Sequence, residues 1–265
     1  MIVTILLSVL ALFLYMILAF IVGTIKKNNG LIDCFYGSGY VVIAWTSLLL
    51  GGMFSLRQII ITIIVSIWGI RLSLYVTIRN WGKPEDYRYA AMRERYGDRV
   101  ILKSFFRVYM FQGLIIFLVD FPVLFINANN NPNLGLIDII GISIWIIGFY
   151  FEAVGDYQLR KFLNDKNRTK KVMDQGLWKY TQHPNYFGEV TMWWGIYVIS
   201  LMIPLGFVMI FSPVLITFMI LKVSGVRLLN KRYEGDGEYA DYKRRTSPFI
   251  PWFPKKKDTQ ENITK

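Results

Sequence analysis

Cysteine and histidine are nearly missing: Cys34 and His183 each stand alone in 265 residues. One thiol cannot close an intramolecular disulfide or build a thiolate cluster. One imidazole cannot found a metal centre of several His or Cys ligands. Acidic residues are also sparse, 18 against 30 Lys and Arg, which leaves a net charge of +12. They form no cluster that suggests a metal site, so none is assigned. There is no internal repeat and no Gly-rich dinucleotide fingerprint. No charged side chain occurs before Lys26. A signal peptide opens on a basic n-region. Here the basic pair follows the apolar run instead, as in a retained helix whose amino end lies outside.

What is abundant is apolar surface. Hydrophobic residues make up 54% of the chain and the mean hydropathy is +0.38. A helix crosses the hydrocarbon core in about 20 residues, and backbone groups in lipid must satisfy each other. The runs Met1–Ile25, Leu31–Gly52, Gln58–Ile78, Val108–Ile126 and Leu134–Gly155 therefore read as spanning helices. The last apolar stretch, Val190–Leu221, is long for one crossing and carries Pro204 and Gly206 near its middle. Two short helices turning at Met202–Gly206, or one kinked and tilted helix, both accommodate it.

Orientation follows from where Lys and Arg collect. Segments 80–107 and 156–185 carry seven each and the tail 222–265 carries eleven, whereas segment 53–57 has only Arg57 and the asparagine-rich segment 127–133 has none. The alternation is complete if the final stretch crosses twice. The expected fold is all-α and polytopic, with seven transmembrane helices, the amino end outside and the carboxyl end cytosolic. Residues 1–254 form one membrane domain, and 255–265 form a basic tail expected to be disordered. The basic residues sit in loops between apolar runs, which fits membrane orientation and not nucleic-acid binding. The bacterial inner membrane and the endoplasmic reticulum fit the pattern equally.

Charges inside a span are costly and mark function or buried pairing. Asp33 opens the second span, Arg71 lies in the third, Glu152 in the fifth, and Glu189 opens the sixth. Asp120 and Asp138, nearer the outer ends, read as solvated. Arg71, Tyr75 and Arg79 share one helix face, as do Glu152, Asp156 and Arg160. The densest polar segment is His183-Pro-Asn-Tyr-Phe-Gly-Glu189. Pro184 reads as the first turn of a helix with His183 near its cap. Asn185 and Glu189 share a face there and can grip a carboxamide, an amine or a ribose. A capped helix with interfacial aromatics Trp178, Tyr180 and Tyr186 is the structural alternative.

That segment, followed by Trp193-Trp194-Gly195, resembles the carboxyl-terminal signature of the steroid 5-alpha-reductase superfamily, in its bacterial-type branch. Trp68-Gly-Ile-Arg71-Leu-Ser with Arg79 and Glu85-Asp-Tyr-Arg-Tyr89, then Asp156-Tyr-Gln-Leu-Arg160, and then Tyr239-Ala-Asp-Tyr242 through Pro251 are similar to further segments of that branch. The signature region runs over residues 145–254 and the likeness over about 30–254. The resemblance implies an enzyme that uses NADPH to reduce a carbonyl-conjugated C=C bond of a lipid taken from the bilayer, steroid-like or an enoyl or polyprenyl chain.

By that likeness Asn185 holds the nicotinamide carboxamide, and Glu189, Glu152 and Asp156 hold amide or ribose groups. Tyr186 and Phe187 pack the ring, Arg71, Arg79, Arg88 and Arg160 are candidates for the phosphates, and His183 and Arg227 are further cofactor-binding candidates. The superfamily's proton donors are a glutamate on the second helix and a tyrosine on the third. Here the tyrosine position falls on Trp68, which leaves Asp33 with Tyr36 or Tyr75 as candidates. Isoprenylcysteine and phospholipid methyltransferases share the His-Pro-x-Tyr segment, so an S-adenosylmethionine enzyme is one alternative. A non-catalytic lipid-binding membrane protein is another.

Overall fold

The computed structural model describes residues 1–129, 133–226, 233 and 235–255, and all regular structure among them is helical. The helices are α1 (Ile2–Ile25), α2 (Ile32–Gly51), α3 (Leu56–Asn80), α4 (Tyr87–Tyr96), α5 (Val100–Ser104), α6 (Phe111–Asn127), α7 (Leu136–Asn164), α8 (Pro184–Ser200), α9 (Phe211–Phe218) and α10 (Gly237–Arg245). Six helical stretches are long and apolar enough to cross a bilayer: Ile2–Ile25, Asn29–Gly51, Leu56–Asn80, Tyr87–Asn127, Leu136–Asn164 and Gly206–Ser224. This is a multi-pass membrane protein. Helix α8 adds 17 residues, and the final apolar stretch breaks over Leu201–Leu205 with Leu205 left-handed at φ 66. The two-helix reading of Val190–Leu221 thus matches the chain path, with the turn one residue earlier than expected.

Local chemistry sets the helix ends. A capping box opens α3: the Ser55 side chain accepts from Gln58 N, and Gln58 Oε1 accepts from Ser55 N at 2.9 Å. Gly52, at φ 69, closes α2 in the left-handed conformation that glycine tolerates best. Asp86 caps α4 by accepting from Arg88 N at 3.0 Å. Segment 80–107, expected as a loop, is therefore largely helical, and a π-helical turn over Phe105–Met110 carries it into α6.

The chain separates into two compact units. The first comprises Met1–Ile139 and Ile196–Ser212. In it α2 packs most extensively on α3, then on α1 and α6. The α2–α3 crossing is backbone against backbone, because a Cβ on Gly37 would strike the Gly69 carbonyl and one on Gly69 would strike that of Gly37. Small residues permit such contact where lipid offers no hydrophobic drive.

At the opposite end from the basic loops, Arg57 and Asp138 form a bidentate pair at 2.7 and 2.8 Å, 2% and 1% exposed. Gly135 N donates to Asp138 Oδ2 at 2.8 Å and Arg57 donates to the Asn133 carbonyl. The solvated reading of Asp138 is thereby corrected. Its place in the first turn of α7 left it looking like a surface residue, but the guanidinium of α3 reaches it. Asp120 is likewise buried, and neither of its oxygens has a hydrogen-bond partner among the described residues. Asn127 is buried too, and its amide donates to Ala44 O, Ser47 Oγ and Thr62 Oγ1 at 3.0–3.2 Å. Of the asparagine-rich turn, residues 130–132 lie outside the described residues.

The second unit comprises Ile140–Gly195 and Pro213–Lys265. It holds most of α7, α8 and α9, together with α10. Of the expected basic tail, residues 256–265 lie outside the described residues.

Candidate functional site

In the second unit, glycines seven residues apart bring α7 and α8 together. A Cβ on Gly148 would meet Met192 N and Gly188 O at 2.6 Å, and one on Gly195 would meet Gly141 O at 2.6 Å and Trp145 N at 2.8 Å. Gly188, inside the His-Pro-Asn-Tyr-Phe-Gly-Glu motif, lies against the Glu152 and Gly148 backbone. The motif's glycine thus permits a close approach that no side chain would allow. That approach brings Asn185 Nδ2 to Asp156 Oδ1, where it donates at 3.1 Å. Asp156 and Glu152 are 4% and 2% exposed, while Asn185 and Glu189 are half-buried. Two acids and an amide on touching helices form a set of donors and acceptors suited to carboxamide, hydroxyl or amine groups. Arg160, one turn beyond Asp156, is exposed.

The loop before α8 is held from beneath. Trp178 Nε1 donates to Gly155 O at 3.0 Å, and Leu177 N donates to Gln158 Oε1 at 2.9 Å. The end of α10 and the chain after it then dock along residues 178–182. Tyr242 donates to Trp178 O at 2.6 Å, Gln182 N to Ser247 O at 2.9 Å, Gln182 Nε2 to Thr246 O at 2.8 Å, and Trp252 N to Tyr180 O at 2.9 Å. Thr181 Oγ1 donates to Phe249 O at 2.6 Å. Arg245 and Lys170 both reach Asp174, at 2.8 and 2.9 Å. Burial acts to raise the Asp174 carboxyl, but these two cations outweigh it and hold the group below the usual carboxylate range. Sequence reasoning noted the tail's likeness but missed this clamp, because its bonds run mostly to backbone carbonyls that no pattern displays.

His183 ends the clamp. It is 1% exposed, stacks on Tyr186 at 5.6 Å, and lines a cavity of about 90 Å³ with Trp178, Tyr239 and Tyr242. Neither ring nitrogen has a hydrogen-bond partner among the described residues. Burial, with the Lys243 charge adding to it, lowers its pKa from 6.5 to about 4. The ring is neutral at physiological pH.

In the first unit Asp33 receives the Tyr89 hydroxyl at 2.8 Å and lies 3.9 Å from the Arg88 guanidinium. Arg88 also holds Asp86 at 2.8 Å. Glu85 accepts from Asn29 N at 2.5 Å and pairs with Arg93 at 3.2 Å. The hydroxyl that reaches Asp33 therefore comes from α4, in the segment read as a loop. Tyr36, three residues after Asp33 on α2, accepts from Tyr40 at 2.6 Å, and Tyr40 packs edge-on to Trp68. Tyr75 lies beneath the Arg79 guanidinium at 5.7 Å.

The expected site residues thus fall in both units. Asp33, Tyr36, Arg71, Tyr75, Arg79 and Arg88 belong to the first, and Glu152, Asp156, Arg160, His183, Asn185, Tyr186 and Glu189 to the second. Arg227 lies outside the described residues.

The profile of a family described as "Protein of unknown function (DUF1295)" matches residues 19–246. An uncharacterized protein of Schizosaccharomyces pombe is 25% identical over 187 residues, covering 62% of this chain and 51% of the relative. The chain spans about half the length of that curated relative. No solved structure matches.

Proposed function

The chain belongs to the DUF1295 family, and from that premise we propose that it is a membrane-embedded, steroid 5-alpha-reductase-like oxidoreductase. It reduces a carbonyl-conjugated C=C bond of a lipid with NADPH. The observation that carries the proposal is the Asn185–Asp156 hydrogen bond at the glycine-packed crossing of α7 and α8, with buried Glu152 one turn away.

The residues fit such a cofactor. An amide and buried carboxylates offer acceptors and donors for carboxamide and ribose hydroxyls, and the basic segments supply guanidinium groups for phosphates. The cofactor, when bound, supplies the hydride. Asp156 fixes the Asn185 amide, so that group is oriented before anything binds. Tyr186 offers an aromatic face, kept in place by its stack on His183. The neutral, buried imidazole excludes water and adds no charge beside the ring.

Reduction of an enone also needs a proton for the developing enolate. Within the first unit, Asp33 with Tyr89 joins Asp33 with Tyr36 or Tyr75 as the candidate donor set. The phenol donates its Oη–H to the carboxylate, and the Arg88 guanidinium lies 3.9 Å from the same group. The bundle crosses seven times when α8 is counted, with the amino end outside.

Purified protein with NADPH and an enone lipid tests the reading. NADPH consumption that depends on the lipid is expected. Asp156→Asn and Asn185→Ala are expected to lower it by about 10²-fold or more, the scale of losing an oriented group. Tyr89→Phe is expected to lower turnover while leaving nucleotide binding unchanged. A thermal shift with S-adenosylmethionine and none with NADPH would replace the reductase by a methyltransferase.

A further inference from the structure

A groove of about 600 Å³ lies where α1, α2 and α3 reach the basic end of the first unit, and its lining residue Cys34 adjoins Asp33. Its wall includes Val22, Leu31 and Phe35. The Tyr15 hydroxyl in its lining is already paired: it lies 2.6 Å from Ser38 Oγ and donates to Phe35 O at 3.2 Å. An apolar occupant does not strand that hydroxyl.

The mouth has the opposite character. Lys26, the C-cap of α1, and Lys83, in the turn after α3, both line it and both are exposed. Neither has an ion-pair partner among the described residues. Trp81 stands at the same rim, 81% exposed, an arrangement typical of an indole at a bilayer interface. A free anion would account for the lysines and not for the wall. A neutral lipid would account for the wall and not for the lysines.

We propose that this groove binds an anionic phospholipid, its phosphate between Lys26 and Lys83 and one acyl chain along Val22, Leu31 and Phe35. The match is one of charge and polarity together: two cations without ion-pair partners among the described residues stand at the mouth of a groove with an apolar wall. The site is independent of the reductase reading. It stands or falls on whether α1–α3 present this face to lipid.

Cys34, the sole thiol, lines the groove and reports its occupancy. Full-length delipidated protein in detergent is alkylated with a small uncharged maleimide. The probes are phosphatidylglycerol, phosphatidylcholine with the same chains, and inorganic phosphate. Phosphatidylglycerol is expected to slow alkylation at lower concentration than phosphatidylcholine, and inorganic phosphate to leave the rate unchanged. Lys26→Gln and Lys83→Gln are each expected to weaken the phosphatidylglycerol effect by about fivefold, the worth of one lysine near an anionic surface. Both positions are exposed, so the unfolding temperature should not move. Equal protection by the two phospholipids, protection by inorganic phosphate, no protection by either lipid, or a preference that survives both substitutions overturns the proposal.

Discussion

Arg57 and Asp138 are each almost fully buried and each other's bidentate partner, with backbone groups filling the remaining valences. Removing one member strands the other charge, so Asp138→Ala should cost about 3–5 kcal/mol, read as a large drop in unfolding temperature in detergent. Arg57→Met with Asp138→Leu should recover most of it. At His183 the argument concerns pH. Its folded pKa of about 4 lies below its ordinary 6.5, so the unfolded chain binds more protons between those values. Stability therefore falls as pH drops from about 6.5 to 4, by an amount on the order of 3 kcal/mol. The contribution of Asp174, whose pKa is depressed, is present above its unfolded value and disappears as the pH falls further. Thermal unfolding against pH should show the first loss in the parent and a flattened profile in His183→Gln.

At the scale of helices, two glycine contacts decide how closely partners approach. Gly188→Ala places a methyl group against the Glu152 backbone. Overpacking of this kind costs about 1–3 kcal/mol and should part Asn185 from Asp156, lowering stability and, on the proposed function, NADPH affinity. The same elements show what a linear reading captures. The spans were legible because apolar runs of bilayer length admit no other structure, and the start of α8 because proline follows a cap. The helical character of 87–104 was not legible, since its Arg and Glu pattern presents no apolar stripe and its order comes from Asp86, and from Glu85 reaching Asn29. Tyr89 as the partner of Asp33 was hidden for the same reason: the two are far apart in sequence and joined only by α4. Asp120 and Asp138 were misread because distance from a span's end stands in poorly for burial.

Over the whole molecule, the alternation of Lys- and Arg-rich segments is the argument on which the proposed seven crossings rest. Reporter fusions at Trp81, Lys166 and Lys255 should all report the same side, and one at Phe54 the other. The family match across residues 19–246 takes in both compact units.

The docking of residues 242–252 onto 178–182 gives the chain an order in time. The His-Pro-Asn-Tyr motif is synthesised long before the segment that latches it, so a nascent chain can insert its helices while the motif still lacks its latch. A stop codon placed after residue 235 should accordingly yield protein that reaches the membrane in normal amount yet is cut by protease within 165–183, whereas the full-length protein resists.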